Sequence, residues 1–291
     1  MKGSIVAIVT PMHANGDINF NDLEKLINWH VENGTNGIVA VGTTGESPSL
    51  NFIEHINVIK KTIEFVAGRI PVIAGTGANS TSEAIDLCKA SEDAGAEFSL
   101  TVVPYYNKPT QSGLLKHFEL IAHSSKLKHI LYNVPSRTIT DLADETTLKL
   151  AQIENIVGIK DATADMYRVT NLVKNKPKDF LLLSGDDASA LPFLFLGGDG
   201  VISVTANVVP GHFSKMCKFI FEKKYEDALG INQKLLSLNS LLFIEANPIP
   251  VKWLLSRMNM LQSDYLRSPL TILSKSHEQL LLKAAAEANI F

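Results

Sequence analysis

The sequence predicts an α/β protein of the (β/α)8, or TIM, barrel class with a C-terminal helical appendage. Eight short runs, most of them apolar without alternation, suit strands that are buried on both faces. Segments with helical spacing separate them, and eight such alternations within about 225 residues match a (β/α)8 barrel. A doubly wound sheet shows the same alternation, but it often carries a glycine-rich turn after its first strand. Here the first strand leads into Thr10-Pro11-Met12 instead.

The strands are predicted at the apolar runs 4–9, 37–41, 71–74, 98–103, 129–132, 157–160, 180–184 and 200–204. The first helix, 21–33, has its apolar side chains on one broad face and Asn21 as its N-cap. The helix at 80–94 begins with serine and threonine caps and has Glu83 in its first turn, where a carboxylate suits the helix dipole. The other helices between strands are predicted at 51–66, 111–124, 144–152, 164–174, 187–196 and 212–222.

After about Tyr225 the strand pattern stops, and helical spacing continues alone. The segments with this spacing are residues 227–243, 249–259 and 276–288. The sequence therefore predicts a (β/α)8 catalytic barrel over residues 1–224 and a helical domain over residues 225–291.

Composition excludes several classes of partner. The formal net charge of −3 leaves no basic excess for a phosphate backbone, so no nucleic acid is expected. No apolar run approaches the ~20 residues that a membrane span needs, and the N-terminal run is too short for a signal peptide. The two cysteines, Cys88 and Cys217, both lie in helical segments and cannot form a disulfide framework. We therefore expect a cytoplasmic protein without membrane partners.

The strand ends are the place to look for chemistry, because active sites of (β/α)8 barrels lie at the C-terminal face. Lys160 follows the apolar run 156–159 at the end of strand six. Desolvation disfavours a charged ammonium, and a neutral lysine is a nucleophile that forms Schiff bases with carbonyl compounds. The alternative is a lysine that extends its ammonium to solvent or pairs with Asp161.

Four further polar residues follow strand ends. Tyr132 ends strand five, beside strand six, and is either a proton shuttle or a core tyrosine with one hydrogen bond. Thr43 and Thr44 follow strand two and either hold a carboxylate and relay protons or cap the next helix. Arg137 lies in the loop after strand five and either binds a substrate carboxylate or forms a surface salt bridge.

No metal or cofactor is expected. The eight histidines lack the spacing of a metalloprotease motif. Asp186 and Asp187 are adjacent carboxylates that suit Mg²⁺, but Asp187 also suits the N-cap of the next helix, which we prefer. The glycine-rich turn 197–200 precedes strand eight, so it lies at the wrong face for a phosphate site and indicates a tight turn.

Long motifs at nearly every strand end carry a family resemblance. They are residues 3–12, 41–47, 73–79, 104–109, 131–138, 158–163, 183–187 and 200–204, with Asn247-Pro248-Ile249-Pro250-Val251-Lys252 in the C-terminal part. In these motifs the chain resembles the dihydrodipicolinate synthase family, within the pyruvate-dependent class I aldolase superfamily that also contains N-acetylneuraminate lyase. The resemblance implies the condensation of pyruvate with L-aspartate-4-semialdehyde in lysine (diaminopimelate) biosynthesis, without a cofactor.

The resemblance also implies roles for individual residues. Lys160 resembles the lysine that forms the Schiff base with pyruvate, and Tyr132 resembles the proton donor and acceptor beside it. Thr43 and Tyr106 resemble the rest of a proton relay, with Tyr106 supplied by a neighbouring subunit. The residues similar to substrate-binding positions are Thr44, the backbone of Ile202, Gly185, and Arg137, which receives the semialdehyde.

Two further properties follow from the resemblance alone. One is a homotetramer built as a dimer of tight dimers. The other is inhibition by L-lysine in a cleft between subunits, at positions Ser47, His55, Asn79, Glu83 and Tyr105. Phe52 occurs where sensitive enzymes often carry a histidine, so partial inhibition is expected. The alternative is that Glu83 and Asn79 merely cap the helix that begins near Ser80.

Two competing functions remain open at this point. A sister enzyme, such as N-acetylneuraminate lyase or a keto-deoxy sugar acid aldolase, would share Lys160 and Tyr132. Arg137 and the Tyr105-Tyr106 pair favour an amino-acid aldehyde with a carboxylate as the second substrate. A non-catalytic barrel that binds a ketoacid would not need the hydroxyl groups that surround Lys160.

Overall fold

Eight parallel strands form a closed barrel in chain order, in a computed structural model that describes residues 1–291. The strands are β1 (Gly3–Ala7), β2 (Gly37–Ala40), β3 (Val72–Gly75), β4 (Phe98–Val102), β5 (Lys128–Asn133), β6 (Ile156–Asp161), β7 (Leu181–Ser184) and β8 (Gly200–Ser203). β8 pairs with β1, which closes the barrel. All eight predicted strands are confirmed, and the closure excludes the open doubly wound sheet.

Twelve α-helices accompany the strands. They are α1 (Phe20–Glu32), α2 (Phe52–Val66), α3 (Thr81–Asp93), α4 (Gln111–Ser124), α5 (Pro135–Thr138), α6 (Asp144–Leu150), α7 (Met166–Asn175), α8 (Ala190–Phe195), α9 (Pro210–Phe221), α10 (Tyr225–Leu241), α11 (Ile249–Arg257) and α12 (Lys275–Glu287). The predicted (β/α)8 barrel with C-terminal helices is therefore confirmed. The sequence prediction missed α5 and two short 3-10 helices, Ser47–Ser49 and Thr205–Asn207.

Two predicted helix caps are wrong. Asn21 lies inside α1, and the cap is Asn19, whose side chain accepts a hydrogen bond from the N–H of Asp22. Asp187 does not cap α8, which has Ser189 at its N-cap position. In both cases a neighbouring residue with the same capping chemistry stands within two positions in the sequence, so local pattern alone does not discriminate between them.

The barrel interior is filled by side chains that alternate along the strands. They belong to one buried cluster that includes Ile5, Ala7, Val39, Ile73, Leu100, Ile130, Tyr132, Leu183 and Ile202. Successive side chains of a strand point to opposite faces, so Gly158 and Lys160 on β6 follow the same inward alternation. This period places the lysine stem inside the barrel, at the C-terminal end of its strand.

The C-terminal helices share the larger hydrophobic core with the barrel. One cluster of 43 buried residues contains Val6 from β1, Leu235 from α10, Trp253 from α11 and Leu281 from α12. The division at residue 224 stays a prediction. α10 begins at Tyr225, and the shared core favours treating the helices as part of the barrel's own packing.

Candidate active site

A cavity of about 400 Å³ opens at the C-terminal ends of the strands. Its volume lies in the range of ~300–1,000 Å³ that is typical of small-molecule sites. Six of the predicted catalytic and substrate-binding residues line it, namely Thr43, Thr44, Tyr132, Arg137, Lys160 and Gly185. Residues from the turn after β2, from β5, α5 and β6, and from the turn after β7 thus meet in one place, as expected for a barrel active site.

Lys160 is buried among the lining residues, with a side chain that forms no ion pair. It is 6% exposed, and no carboxylate oxygen lies within 4.0 Å of its Nζ. Asp161, the partner proposed as an alternative, accepts hydrogen bonds from Asn133, Thr163 and Arg168 instead. An amine without a counterion in a cavity is placed to attack a carbonyl compound that enters from solvent.

Tyr132 lies next to Lys160 in the sheet. The two residues are direct register partners on β5 and β6, and the Nζ of Lys160 lies 4.2 Å from the centroid of the tyrosine ring. The tyrosine is buried at 7% exposure and lines the cavity. A phenol in this position is available to exchange protons with a molecule bound at Lys160.

The turn after β2 presents Thr43 and Thr44 to the same cavity. Thr44 is buried, and its Oγ1 accepts a hydrogen bond of 2.9 Å from the amide of Asn247. The alternative that these threonines cap α2 is wrong, because Asn51 and Glu54 form a capping box there. The two hydroxyls therefore remain available to a ligand in the cavity.

Arg137 lies on the short helix α5 at the mouth of the cavity. Its side chain is exposed and has no carboxylate within 4.0 Å, so the surface salt bridge considered as an alternative is absent. The loop after α5 is held at Asp141, which accepts 2.8 Å hydrogen bonds from Asn133 and Arg168. Arg168 lowers the pKa of Asp141, so this carboxylate stays charged at neutral pH and keeps its hydrogen bonds with Asn133 and Arg168.

Gly185 and Ile202 lie on the far side of Lys160. The N–H of Gly185 donates to the carbonyl of Asp161, and a Cβ at Gly185 would lie 2.8 Å from the Cε of Lys160. The Ile202 side chain belongs to the barrel core and does not line the cavity.

Asp187 fixes the turn after β8, because its Oδ2 accepts hydrogen bonds from the N–H groups of Val204 and Thr205 at 2.9 and 2.8 Å. Burial raises the pKa of this carboxyl.

Comparison with known proteins identifies the family to which this arrangement belongs. A model of the dihydrodipicolinate synthetase family matches residues 1–288. The chain belongs to this family. It is 56% identical over 290 residues to a 4-hydroxy-tetrahydrodipicolinate synthase from Nitrosospira multiformis, an alignment that covers 100% of this chain and 96% of the relative. The resemblance seen in the sequence motifs is therefore confirmed.

Solved structures of the family have the same fold. The chloride-inhibited dihydrodipicolinate synthase of Acinetobacter baumannii, complexed with pyruvate, matches with a TM-score of 0.97 and 50% identity, covering 100% of this chain and 99% of that one. The dihydrodipicolinate synthase of Cyanidioschyzon merolae with lysine bound matches with a TM-score of 0.97 and 38% identity, covering 100% and 99%.

The two tyrosines after β4 behave differently from the other predicted site residues. Tyr106 is 89% exposed, has a φ of +73° and does not line the cavity of its own chain. Tyr105 is 37% exposed, and its partial burial and, to a lesser extent, the nearby Glu83 raise its pKa. The exposed ring of Tyr106 is available to a neighbouring molecule, whereas Tyr105 belongs to a polar cluster at the start of α3.

The residues of the predicted L-lysine site fall into two groups. Asn79, Glu83 and Tyr105 lie together. The amide of Asn79 donates to the carbonyl of Tyr105 at 3.3 Å, and the charge of Glu83 adds to the effect of burial in raising the pKa of Tyr105. Ser47 lines the active-site cavity, and the buried Nε2 of His55 lies 2.7 Å from the carbonyl oxygen of Gly75. The N-cap Ser80 makes no side-chain capping bond, and neither Asn79 nor Glu83 replaces it, so the capping alternative is not observed.

Sequence reasoning missed the contribution of the C-terminal part to the cavity. Phe243 and Asn247 line it, and Lys252 forms a buried ion pair with Glu46 directly after the Thr43-Thr44 turn. The motif from Asn247 to Lys252 was recognised only as a family feature. One signal was available in the sequence: Lys252 interrupts an apolar helical stretch, and a buried lysine needs a carboxylate partner.

No group of three or more His, Cys, Asp or Glu side chains is arranged to hold a metal ion. None of the helices has both the length and the apolar composition required to cross a membrane.

Proposed function

We infer that the chain is a lyase that catalyses the 4-hydroxy-tetrahydrodipicolinate synthase reaction, the condensation of pyruvate with L-aspartate-4-semialdehyde. The observation that carries this inference is Lys160, a buried lysine without a counterion, beside Tyr132 in a cavity of a chain that is 56% identical to such a synthase. A lysine amine that forms a covalent Schiff base explains how a barrel can activate pyruvate with its own side chains.

The reaction proceeds through an iminium ion. The Nζ of Lys160 attacks the keto carbon of pyruvate, and a water molecule leaves. The iminium withdraws electrons, so the methyl group loses a proton and becomes the nucleophilic carbon of an enamine. That carbon attacks the aldehyde, and the amine of the semialdehyde then closes the ring and releases Lys160. The sum is one pyruvate and one semialdehyde converted to product and one water.

Each step moves a proton, and the hydroxyl groups around Lys160 can carry out these proton transfers. Tyr132 exchanges protons with the bound intermediate, and Thr43 continues the relay. Thr44 and backbone groups near Ile202 bind the pyruvate carboxylate, with Gly185 leaving room for the lysine stem. At the mouth, Arg137 pairs with the carboxylate of the semialdehyde, for which a guanidinium fork is suited.

Reductive trapping tests the covalent step. Pyruvate with borohydride should add one reduced pyruvate to the peptide that carries Lys160, and Lys160→Arg should abolish the addition. Lys252 is a second buried lysine and provides an internal control, because it is 0% exposed and should stay unlabelled. Product formation from pyruvate and L-aspartate-4-semialdehyde, followed by mass spectrometry, tests the overall reaction. Absence of the adduct, or a label on another lysine, would refute the proposal.

We propose that the chain works as a homotetramer in which a neighbouring subunit supplies Tyr106. The 89% exposure of this tyrosine, outside its own cavity, supports that assignment. Analytical ultracentrifugation measures the assembly. Mixing Tyr106→Phe subunits with Lys160→Arg subunits should then recover part of the activity, because one site of each mixed pair is intact. A fully active Tyr106→Phe homomer would contradict the assignment.

We also propose partial inhibition by L-lysine at the cluster of Asn79, Glu83 and Tyr105. The carboxylate of Glu83 suits an ammonium group, and the chain keeps Phe52, 49% exposed, where a histidine would add a contact. A missing hydrogen bond of this kind weakens binding by ~2–10-fold. Initial rates measured at increasing L-lysine concentration should show stronger inhibition in Phe52→His and none in Glu83→Ala.

The reducing cytoplasm remains the proposed compartment, supported by two free, buried cysteines.

A further inference from the structure

The turn that carries Thr43 and Thr44 has a costly backbone conformation at both ends. Val41 has a φ of +54° and Glu46 a φ of +58°, both in the left-handed region. For a β-branched residue such as valine this region is a true outlier. Such conformations persist only where the surrounding structure over-determines them. The contacts that hold this turn are therefore part of the site's construction.

Most of these contacts come from the C-terminal part of the chain. The amide of Asn247 donates to Thr44 Oγ1 at 2.9 Å, and the N–H of Arg267 donates to Glu46 at 3.2 Å. Lys252 Nζ lies 2.7 Å from Glu46 Oε1 and also donates to the carbonyl of Thr10. Two further side-chain hydrogen bonds come from the barrel part of the chain: Thr10 Oγ1, in the loop after β1, donates to the carbonyl of Gly45, and Ser49 Oγ donates to the carbonyl of Glu46.

The pair of Lys252 and Glu46 is the most deeply buried ion pair in the molecule. The side chains are 0% and 1% exposed, and 206 residues separate them in sequence. Burial lowers the pKa of Lys252, and Glu46 opposes that shift. A buried pair is weak evidence for stability, because well-packed apolar residues often serve equally well. Its location next to the strained turn indicates that it specifies one conformation.

We propose that Lys252, acting through Glu46, is a positioning residue that holds the Thr43-Thr44 turn in the geometry required to bind the pyruvate carboxylate. The inference rests on the proposed function. Because Thr44 Oγ1 already accepts from Asn247, its own hydrogen is free to be donated into the cavity, provided that the turn stays in place. Arg137 lies on α5, a separate segment after β5, so binding of the semialdehyde does not depend on this pair.

The test is a comparison of kinetic constants in variants that remain folded by circular dichroism. Lys252→Met removes the ammonium and keeps an apolar stem. We expect the KM for pyruvate to rise and the rate of borohydride trapping to fall, each by about 10–100-fold, as expected for misplacement of a binding group by about 1 Å. The KM for the semialdehyde should stay within about twofold of the wild-type value.

Lys176→Met provides a matched control. Lys176 is also a lysine of low exposure, 12%, that contacts a carboxylate, Asp199, and a backbone carbonyl, that of Phe180, but it lies far from the cavity. The Lys176→Met substitution should lower Tm without a change in the KM for pyruvate. A folded Lys252→Met enzyme with wild-type pyruvate KM, or an equal KM change in Lys176→Met, would overturn the inference.

A second variant covers a failure of Lys252→Met to fold. The double variant Glu46→Gln with Lys252→Met leaves no unpaired charge in the interior, so its stability loss should be smaller. It should still show the raised pyruvate KM, and a wild-type KM in it would refute the positioning role. Trapping by the wild-type enzyme separates the two proposals: its failure refutes the proposed function, whereas normal trapping with unaffected variants refutes only the role of Lys252.

Discussion

Gly185 should tolerate no side chain, because the space beside it is occupied by the stem of Lys160. A Cβ at this position would lie 2.8 Å from Lys160 Cε, 3.1 Å from Lys160 Cγ and 2.8 Å from the Cβ of Ala162. Carbon atoms in contact are ordinarily ~3.5–4.0 Å apart, so one or both neighbours must move by roughly 0.7 Å or more. The lysine stem is the more mobile neighbour, and its amine would be displaced.

The substitution Gly185→Ala therefore has two expected effects. Overpacking of a well-filled interior costs about 1–3 kcal/mol of unfolding free energy. Displacement of the nucleophile by nearly 1 Å lowers the rate of Schiff base formation by up to about 10²-fold. Denaturant unfolding measures the first effect. The initial rate of borohydride trapping with pyruvate, at a temperature where the variant is fully folded, measures the second.

Gly230→Ala is the matched control for this substitution. Gly230 lies in α10, and a Cβ there would have no neighbour within 4 Å. Alanine is favoured over glycine inside a helix by about 0.5–1 kcal/mol, so this variant should be more stable than wild type with an unchanged trapping rate. If Gly185→Ala traps pyruvate at the wild-type rate, then Lys160 does not depend on this packing and the reasoning fails.

Three further outcomes are expected. Tyr132→Phe should lower kcat by about 10²–10³-fold and leave Tm nearly unchanged, because the ring that packs in the barrel core is retained. Arg137→Ala should raise the KM for the semialdehyde by about 10–150-fold but not that for pyruvate; equal losses would indicate a structural role. Burial lowers the pKa of His30 to about 3 and those of His117 and His129 to about 4. Histidines of the unfolded chain are protonated near pH 6.5, whereas these three stay neutral in the folded protein. The free energy of unfolding should therefore decrease as the pH is lowered from 6.5 to 4, by up to about 1.4 kcal/mol per pH unit for each histidine, as measured by denaturant unfolding at each pH.

The strands were predictable because the barrel demands a repeated and local signal. Each strand is buried on both faces, so it appears as an apolar run such as Leu181–Ser184, and helical spacing separates each run from the next. The inward direction of Lys160 also follows from local rules, since it continues the alternation set by Gly158. Local pattern therefore predicts the barrel and places Lys160 at its open end.

The supports of the site were not predictable in the same way. The loop after α5, the helix that carries Arg137, is held by Arg168 on α7, whose partner Asp141 lies on that loop, 27 residues earlier in the sequence. Lys252 and Glu46 meet only after the C-terminal helices pack on the barrel. A charged residue within an apolar stretch signals that a partner exists, but only the fold brings that partner within reach.

This difference reflects how the two kinds of residue act. Lys160 and Tyr132 work through chemistry that their residue types and strand positions already define. Glu46, Asp161 and Asp187 instead accept hydrogen bonds that fix the turns beside β2, β6 and β8, and each is buried at 3% exposure or less. A buried carboxylate is stable only with its donors in place, so each of these turns has one preferred conformation. The cavity is thus arranged before substrate arrives, and the C-terminal helices contribute to that arrangement through Asn247 and Lys252.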